Sequence, residues 1–189
     1  MSYDLHLFRP PANVDLGEAA QASYESGEDE SDAPEIESVQ TGRKELLASA
    51  LMQKNPALQS FEFNYAELAR LKGVSIEQAR LQQRYIELNG PEDGNGIQVV
   101  IHDDTVGISV PYWHDERAAV SVWKEIWGYL QVLEGAEGFR TYDPQLDRVL
   151  DLGADSKAVR ETYARGVAVI QSTAAEEHES TPKPWWKFW

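Results

Sequence analysis

Along residues 105–113, Val106, Ile108, Val110 and Tyr112 alternate with Gly107, Ser109, Pro111 and Trp113, the period of two expected of a strand with one buried face. Just upstream, Ile97, Val99 and Ile101 alternate with Gln98, Val100 and His102, and Asp103-Asp104 between the two runs supplies residues that tolerate turns. The two runs predict a hairpin. Residues 85–89, apolar at Ile86 and Leu88, close into a dense series of turn formers over 89–96, so a three-stranded antiparallel meander is the economical arrangement. After Trp113 the period becomes helical, with Ala119, Trp123, Ile126, Trp127, Leu130 and Leu133 recurring at three and four residues. Asp115 stands where an N-cap belongs, and Gly135 and Gly138 stop the run. Each buried indole removes about 150–250 Å² from water, so this helix should roof the meander and supply much of its stabilisation. Two further strands, 139–142 and 148–152, flank the turn Asp143-Pro144-Gln145.

The rest of the chain is read the same way. Tyr3, Leu5 and Leu7 alternate with Asp4, His6 and Phe8 before Arg9-Pro10-Pro11, which predicts an N-terminal strand paired inside the sheet. Residues 12–40 are small, polar and acidic, with no lysine or arginine before Arg43. Such a segment buries too little to offset its ordering entropy and is expected to be a disordered insertion. Leu46, Leu47, Ala50 and Leu51 form the apolar stripe of a helix over 41–54. Two short helices over 64–72 and 75–84 join at Gly73-Val74, the second opened by a capping box at Ser75. A last helix over 155–172 carries Val159, Tyr163, Val167 and Ile170 on one side, with Gly166 as a weak point. Residues 174–184 read as loose. Residues 1–11 and 41–173 thus form one α+β domain, an antiparallel sheet covered by helices on one face in the order of a ferredoxin-like plait with additions. Residues 12–40 are its linker and 174–189 its tail.

Composition narrows the function. A chain of 189 residues holds one ordinary domain, and without cysteine it has neither a disulfide nor a thiolate ligand or nucleophile. The formal charge of −15 repels phosphate backbones and anionic membranes and steers toward a basic protein partner, with no nucleic acid expected. No run is apolar enough to span a bilayer, and the first residues lack the order of a signal peptide, so the cytoplasm is the expected location.

Glu67-Leu68-Ala69 followed by Gly73-Val74-Ser75 and Ala79 has the look of a DNA-binding helix-turn-helix, in which Gln78, Arg80 and Gln82 would read bases. The chain offers no basic stripe to hold the duplex, which leaves a DNA-binding regulator as the weakest alternative. His102-Asp103-Asp104 and His114-Asp115 could in principle hold a divalent metal. They sit at opposite ends of one strand, more than about 20 Å apart at about 3.3 Å per residue, so turn and cap roles are expected. No phosphate loop, nucleophile elbow or zinc-protease motif is present, and no catalytic residue, metal or cofactor is expected.

The opening Met-Ser-Tyr-Asp-Leu-His-Leu-Phe, the strand end Val-Pro-Tyr-Trp, the helix Trp-Lys-Glu-Ile-Trp-Gly-Tyr-Leu and the run Tyr-Asp-Pro-Gln-Leu-Asp-Arg-Val-Leu-Asp-Leu together resemble small uncharacterised bacterial proteins similar to immunity proteins of polymorphic toxin systems. The resemblance implies a non-enzymatic acidic binder that neutralises a toxin. Asp103, Asp104, Asp143 and Asp147 would then supply charge, and Trp113 and Tyr142 would be anchors. Trp185, Trp186, Phe188 and Trp189, with Lys183 and Lys187 between and before them, form an aromatic-basic tail outside the resemblance. It must fold back onto an apolar groove, dock the chain to a partner as a scaffold or adaptor would, or meet a membrane interface.

Overall fold

In the computed structural model, which describes residues 1–26, 37–91 and 94–180, the period-two segments assemble into a seven-stranded antiparallel sheet. Its strands are β1 (Ser2–Phe8), β2 (Gln59–Ser60), β3 (Ile86–Asn89), β4 (Gln98–Ile101), β5 (Thr105–Pro111), β6 (Arg140–Asp143) and β7 (Arg148–Val149), side by side as β2-β3-β4-β5-β1-β6-β7. The N-terminal strand lies between β5 and β6, with Leu5 opposite Ile108 and Leu7 opposite both Val106 and Thr141. Six helices accompany the described strands: α1 (Leu16–Glu25), α2 (Glu37–Lys54), α3 (Tyr65–Lys72), α4 (Ile76–Gln82), α5 (Glu116–Glu137) and α6 (Ser156–Ser180).

Side-chain parity decides the layers. Tyr3, Leu5, Leu7, Val99, Ile101, Val106, Ile108 and Val110 point to one face, where they form a single core with Leu47 and Leu51 of α2, Trp123, Ile126, Leu130 and Leu133 of α5, and Val159 and Tyr163 of α6. The α5 helix is set as its sequence required: Asp115 accepts from the Ala118 amide at its start, and Gly138, at φ 68°, closes its end. Trp123 is buried, while Trp127 packs at the margin and donates Nε1–H to the Leu152 carbonyl at 2.9 Å.

Three expectations are corrected. Part of the acidic segment is helical: Asp15 caps α1 by accepting from the Gly17 and Glu18 amides, and Ala19 and Ala20 bury themselves against Phe8 and Tyr142. The second face, expected to be bare, is consequently covered over β1, β6 and β7. At the other end, α6 continues through the stretch read as loose to Ser180. Residues 27–36 of the acidic segment and the aromatic tail, 181–189, lie outside the described residues.

Candidate functional site

The residues singled out as a partner surface do not come together. Asp103 and Asp104 form the β4–β5 turn, but Lys44, itself buried, holds Asp103 Oδ1 at 2.6 Å while donating to the Arg84 carbonyl at 2.7 Å. Arg9 reaches Asp104 at 3.7 Å and Glu137 at 3.1 Å, and Arg43 holds the same Glu137 oxygen at 2.7 Å. Burial, and then the neighbouring Arg43, push the Arg9 pKa down. Asp103 is thus an internal counter-ion, whereas the Asp104 side chain is 69% exposed despite its contact with Arg9.

The β6–β7 hairpin overturns two more assignments. Asp143 has no exposed surface; its Oδ2 accepts from the Tyr3 hydroxyl at 2.5 Å, and its Oδ1 accepts from the Gln145 and Leu146 amides at 2.9 and 3.0 Å. Burial holds its pKa above the usual carboxylate range, against the lowering effect of those donors. Tyr142 is buried too and donates to Asp147 at 2.6 Å, a bond that, together with burial, pushes the phenol up to about 12. Neither Tyr142 nor Asp143 can anchor a partner. Asp147 stands exposed at the turn at φ 52°, its Oδ1 accepting from the Tyr142 hydroxyl.

Trp113 behaves differently. Its side chain is 67% exposed, yet its ring lies on Gly96, where an added Cβ would stand 2.3 Å from Cζ2. Its edge faces the His114 ring at 6.0 Å. The indole thus rests against Gly96 while most of its surface stays open, the exposure that an interface anchor needs. His114 is spent on structure, its Nε2 lying 2.7 Å from the Asn95 carbonyl oxygen, and His102 packs its ring on Tyr85 at the far end of β5. Among the described residues no three potential ligands gather for a metal.

A groove of about 600 Å³, with His114 in its lining, opens between the first half of α5 and α6. Ala119, Val120, Trp123, Ala164, Val167 and Ala168 line its apolar part, Asp115 and Glu116 stand at one lip, and Lys157, Arg160 and Glu161 at the other. Comparison with protein-family models, with curated proteins and with solved structures found no match. The groove and its indole are accordingly judged on their own chemistry.

An aromatic cluster that includes Trp123 and Tyr163 of the lining lies behind the groove. Tyr3 meets Trp123 edge-on at 5.2 Å, Trp123 meets Tyr163 at 5.4 Å, and Tyr163 stacks on Tyr112 at 5.2 Å. The Tyr163 hydroxyl donates to the Pro111 carbonyl at 2.5 Å, and burial pushes its pKa up to about 12. Gly166 is no weak point here: an added Cβ would lie 2.3 Å from Tyr112 Cε1, so the missing side chain is what lets α6 settle on that ring. The groove was legible in part. Ala164 and Ala168, one turn apart on α6, continue the stripe of Tyr163 and Val167, but helical periodicity cannot tell which apolar neighbours remain uncovered.

Two other constellations carry less. The α3–α4 pair has the turn chemistry of a helix-turn-helix, with Gly73 at φ 68° and a complete capping box at Ser75. Of its three candidate base readers, Gln78 is consumed by that box and Arg80 lies over the Tyr65 ring at 5.4 Å. On the second sheet face His6 Nε2 lies 2.9 Å from Ser23 Oγ, a contact no sequence pattern suggested. Ser23 sits within α1, whose amides bond along the helix, so they are not turned toward a developing oxyanion.

Proposed function

We propose that the protein is a non-enzymatic binding module of the immunity-protein kind, acting in the cytoplasm, which captures a basic protein partner through Trp113 and the adjoining α5–α6 groove. Its body is a ferredoxin-like plait with additions, in which β1-α2-β4-β5-α5-β6 provides the βαββαβ core with strand order β4-β5-β1-β6. The observation that carries the reading is a two-thirds exposed indole one residue before His114, which lines an apolar groove with charged lips, on a chain of charge −15. An aromatic side chain has few rotatable bonds and so loses little entropy on binding, and the net negative charge of the chain speeds encounter with a basic surface. Asp104 adds to that field from a distance, while Tyr142 and Asp143 take no part.

The test is co-expression with the product of the adjacent reading frame, scored by growth rescue and by calorimetry on the purified pair. Trp113→Ala should weaken the complex by about 30-fold, the roughly 2 kcal/mol expected of a central aromatic anchor. Binding should also weaken with salt. A complex whose affinity is indifferent to both Trp113→Ala and Ala164→Arg removes the groove from recognition.

A further inference from the structure

Both walls of the α5–α6 groove are helices, and that restricts the kind of segment able to fill it. Trp127 of α5 bonds to the Leu152 carbonyl, whereas Trp123, one turn earlier, packs on Tyr163 at 5.4 Å. The two helices therefore run antiparallel, and Glu116 stands about 10 Å beyond Trp123, roughly level with residue 170 of α6. Lys157 and Arg160 lie on the other side of Tyr163. The lining thus carries Asp115 and Glu116 toward one end and Lys157, Arg160 and Glu161 toward the other, about 15–20 Å away, with an apolar floor between. We infer that the occupant of this groove is an amphipathic α-helix of a partner protein, about four turns long, apolar on its inner face, with cations toward one end and anions toward the other. This rests on the groove being the recognition surface proposed above, and it names the part of the partner that enters.

The backbone argues for a helix over an extended segment. Along the middle of α5 and α6 the amides and carbonyls bond within each helix, so neither wall offers a main chain to pair with. An extended segment laid between them would bury its own N–H and C=O groups without partners, and each such group is costly. A helix arrives with its backbone already satisfied and presents side chains at i, i+3, i+4 and i+7 along one stripe. Ala164 and Ala168, one turn apart on α6, keep that wall low, so a third helix can approach to the 8–10 Å between axes, roughly, of packed helices. The volume of about 600 Å³ lies within the usual range of binding pockets.

The charge of the lining sets the rest of the pattern. Lys157 and Arg160 face Asp115, Glu116 and Glu161 there, a near balance in a chain with 17 lysines and arginines to 32 aspartates and glutamates. A helix basic along its whole length would meet Lys157 and Arg160 at one end. A bipolar helix meets opposite charge at both, which also fixes its direction in the groove.

The experiment sorts a yeast-displayed library of random 16-residue peptides on the full chain and counter-sorts it on Ala164→Arg, confirmed folded by its melting curve. Enriched peptides should repeat apolar residues at three and four positions, lack internal proline, and gather Lys or Arg in one half and Asp or Glu in the other. The strongest of them, made as a synthetic peptide and measured by fluorescence anisotropy, should bind Glu116→Lys about 3- to 10-fold more weakly, and Arg160→Glu by a similar factor. Changing the basic residues of that peptide to Glu should recover its affinity for Glu116→Lys. Absence of enrichment, enriched peptides with proline or an apolar period of two, or affinity indifferent to both charge changes overturns the inference. So does a full chain that sediments as a dimer and is parted by Ala164→Arg, because a second copy then fills the groove. No natural partner enters these measurements, so they can fail while a complex made through Trp113 stands, and helices can be recovered while the adjacent product fails to bind.

Discussion

Removing one oxygen atom tests the internal logic of the fold. In Tyr3→Phe the ring keeps its place against Trp123 and Tyr163, but Asp143 Oδ2 loses the donor that now stands 2.5 Å away. The carboxylate retains only the two amide donors on Oδ1, in a position with no solvent exposure. A hydrogen bond to a charged group contributes about 1.5–3 kcal/mol, so a loss of that size is expected at neutral pH, or a fall in Tm of roughly 3–12 °C for a chain of this length. The pH dependence follows from direction. Burial raises the folded-state pKa of Asp143 above its unfolded value, and the Tyr3 bond acts against that rise. A group of this kind stabilises the fold fully below its unfolded pKa, and the contribution is lost as pH rises through the folded pKa. Deleting the Tyr3 hydroxyl lifts the folded pKa further, so Tyr3→Phe must cost more at pH 7.5 than at pH 4, because the lost bond favours the ionised carboxylate. Urea denaturation followed by circular dichroism at several pH values measures this. The Asp143→Asn background should reduce the cost of Tyr3→Phe to under about 1 kcal/mol, because the interaction then lacks charge. A cost below about 0.5 kcal/mol at pH 7.5, or one that is the same at pH 4, refutes the account of this pair.

Other perturbations probe separate contacts. Gly166→Ala should destabilise by about 1–3 kcal/mol, since its Cβ meets the Tyr112 ring, whereas Gly128→Ala meets only the mobile end of Lys54 and should stabilise by up to about 1 kcal/mol; paired thermal melts decide. Ala20→Leu overpacks the fully buried contact of α1 with the second sheet face and should lower stability by about 1–3 kcal/mol in chemical denaturation, against the ±0.5 kcal/mol expected of a surface position.

Much of the architecture is written in local pattern, because strand period, helix period and cap chemistry are properties of neighbouring residues. The β3-β4-β5 meander, the Asp115 and Ser75 caps, the α5 roof and the N-terminal strand follow from residues at most a few positions apart. What local pattern could not supply is who meets whom across the chain. Asp143 looked like an exposed turn aspartate because nothing near it in sequence announces that Tyr3, 140 residues away, will donate to it. Asp103 looked like free charge because its partner Lys44 lies on a distant helix. The α1 helix stayed hidden for a related reason: Ala19 and Ala20 carry too little apolar surface to mark a buried face until Phe8 and Tyr142 are brought against them. Trp113 kept its expected exposure, but the tertiary structure set its ring on Gly96 and opened a groove between α5 and α6, since only packing decides which apolar side chains are left without a neighbour.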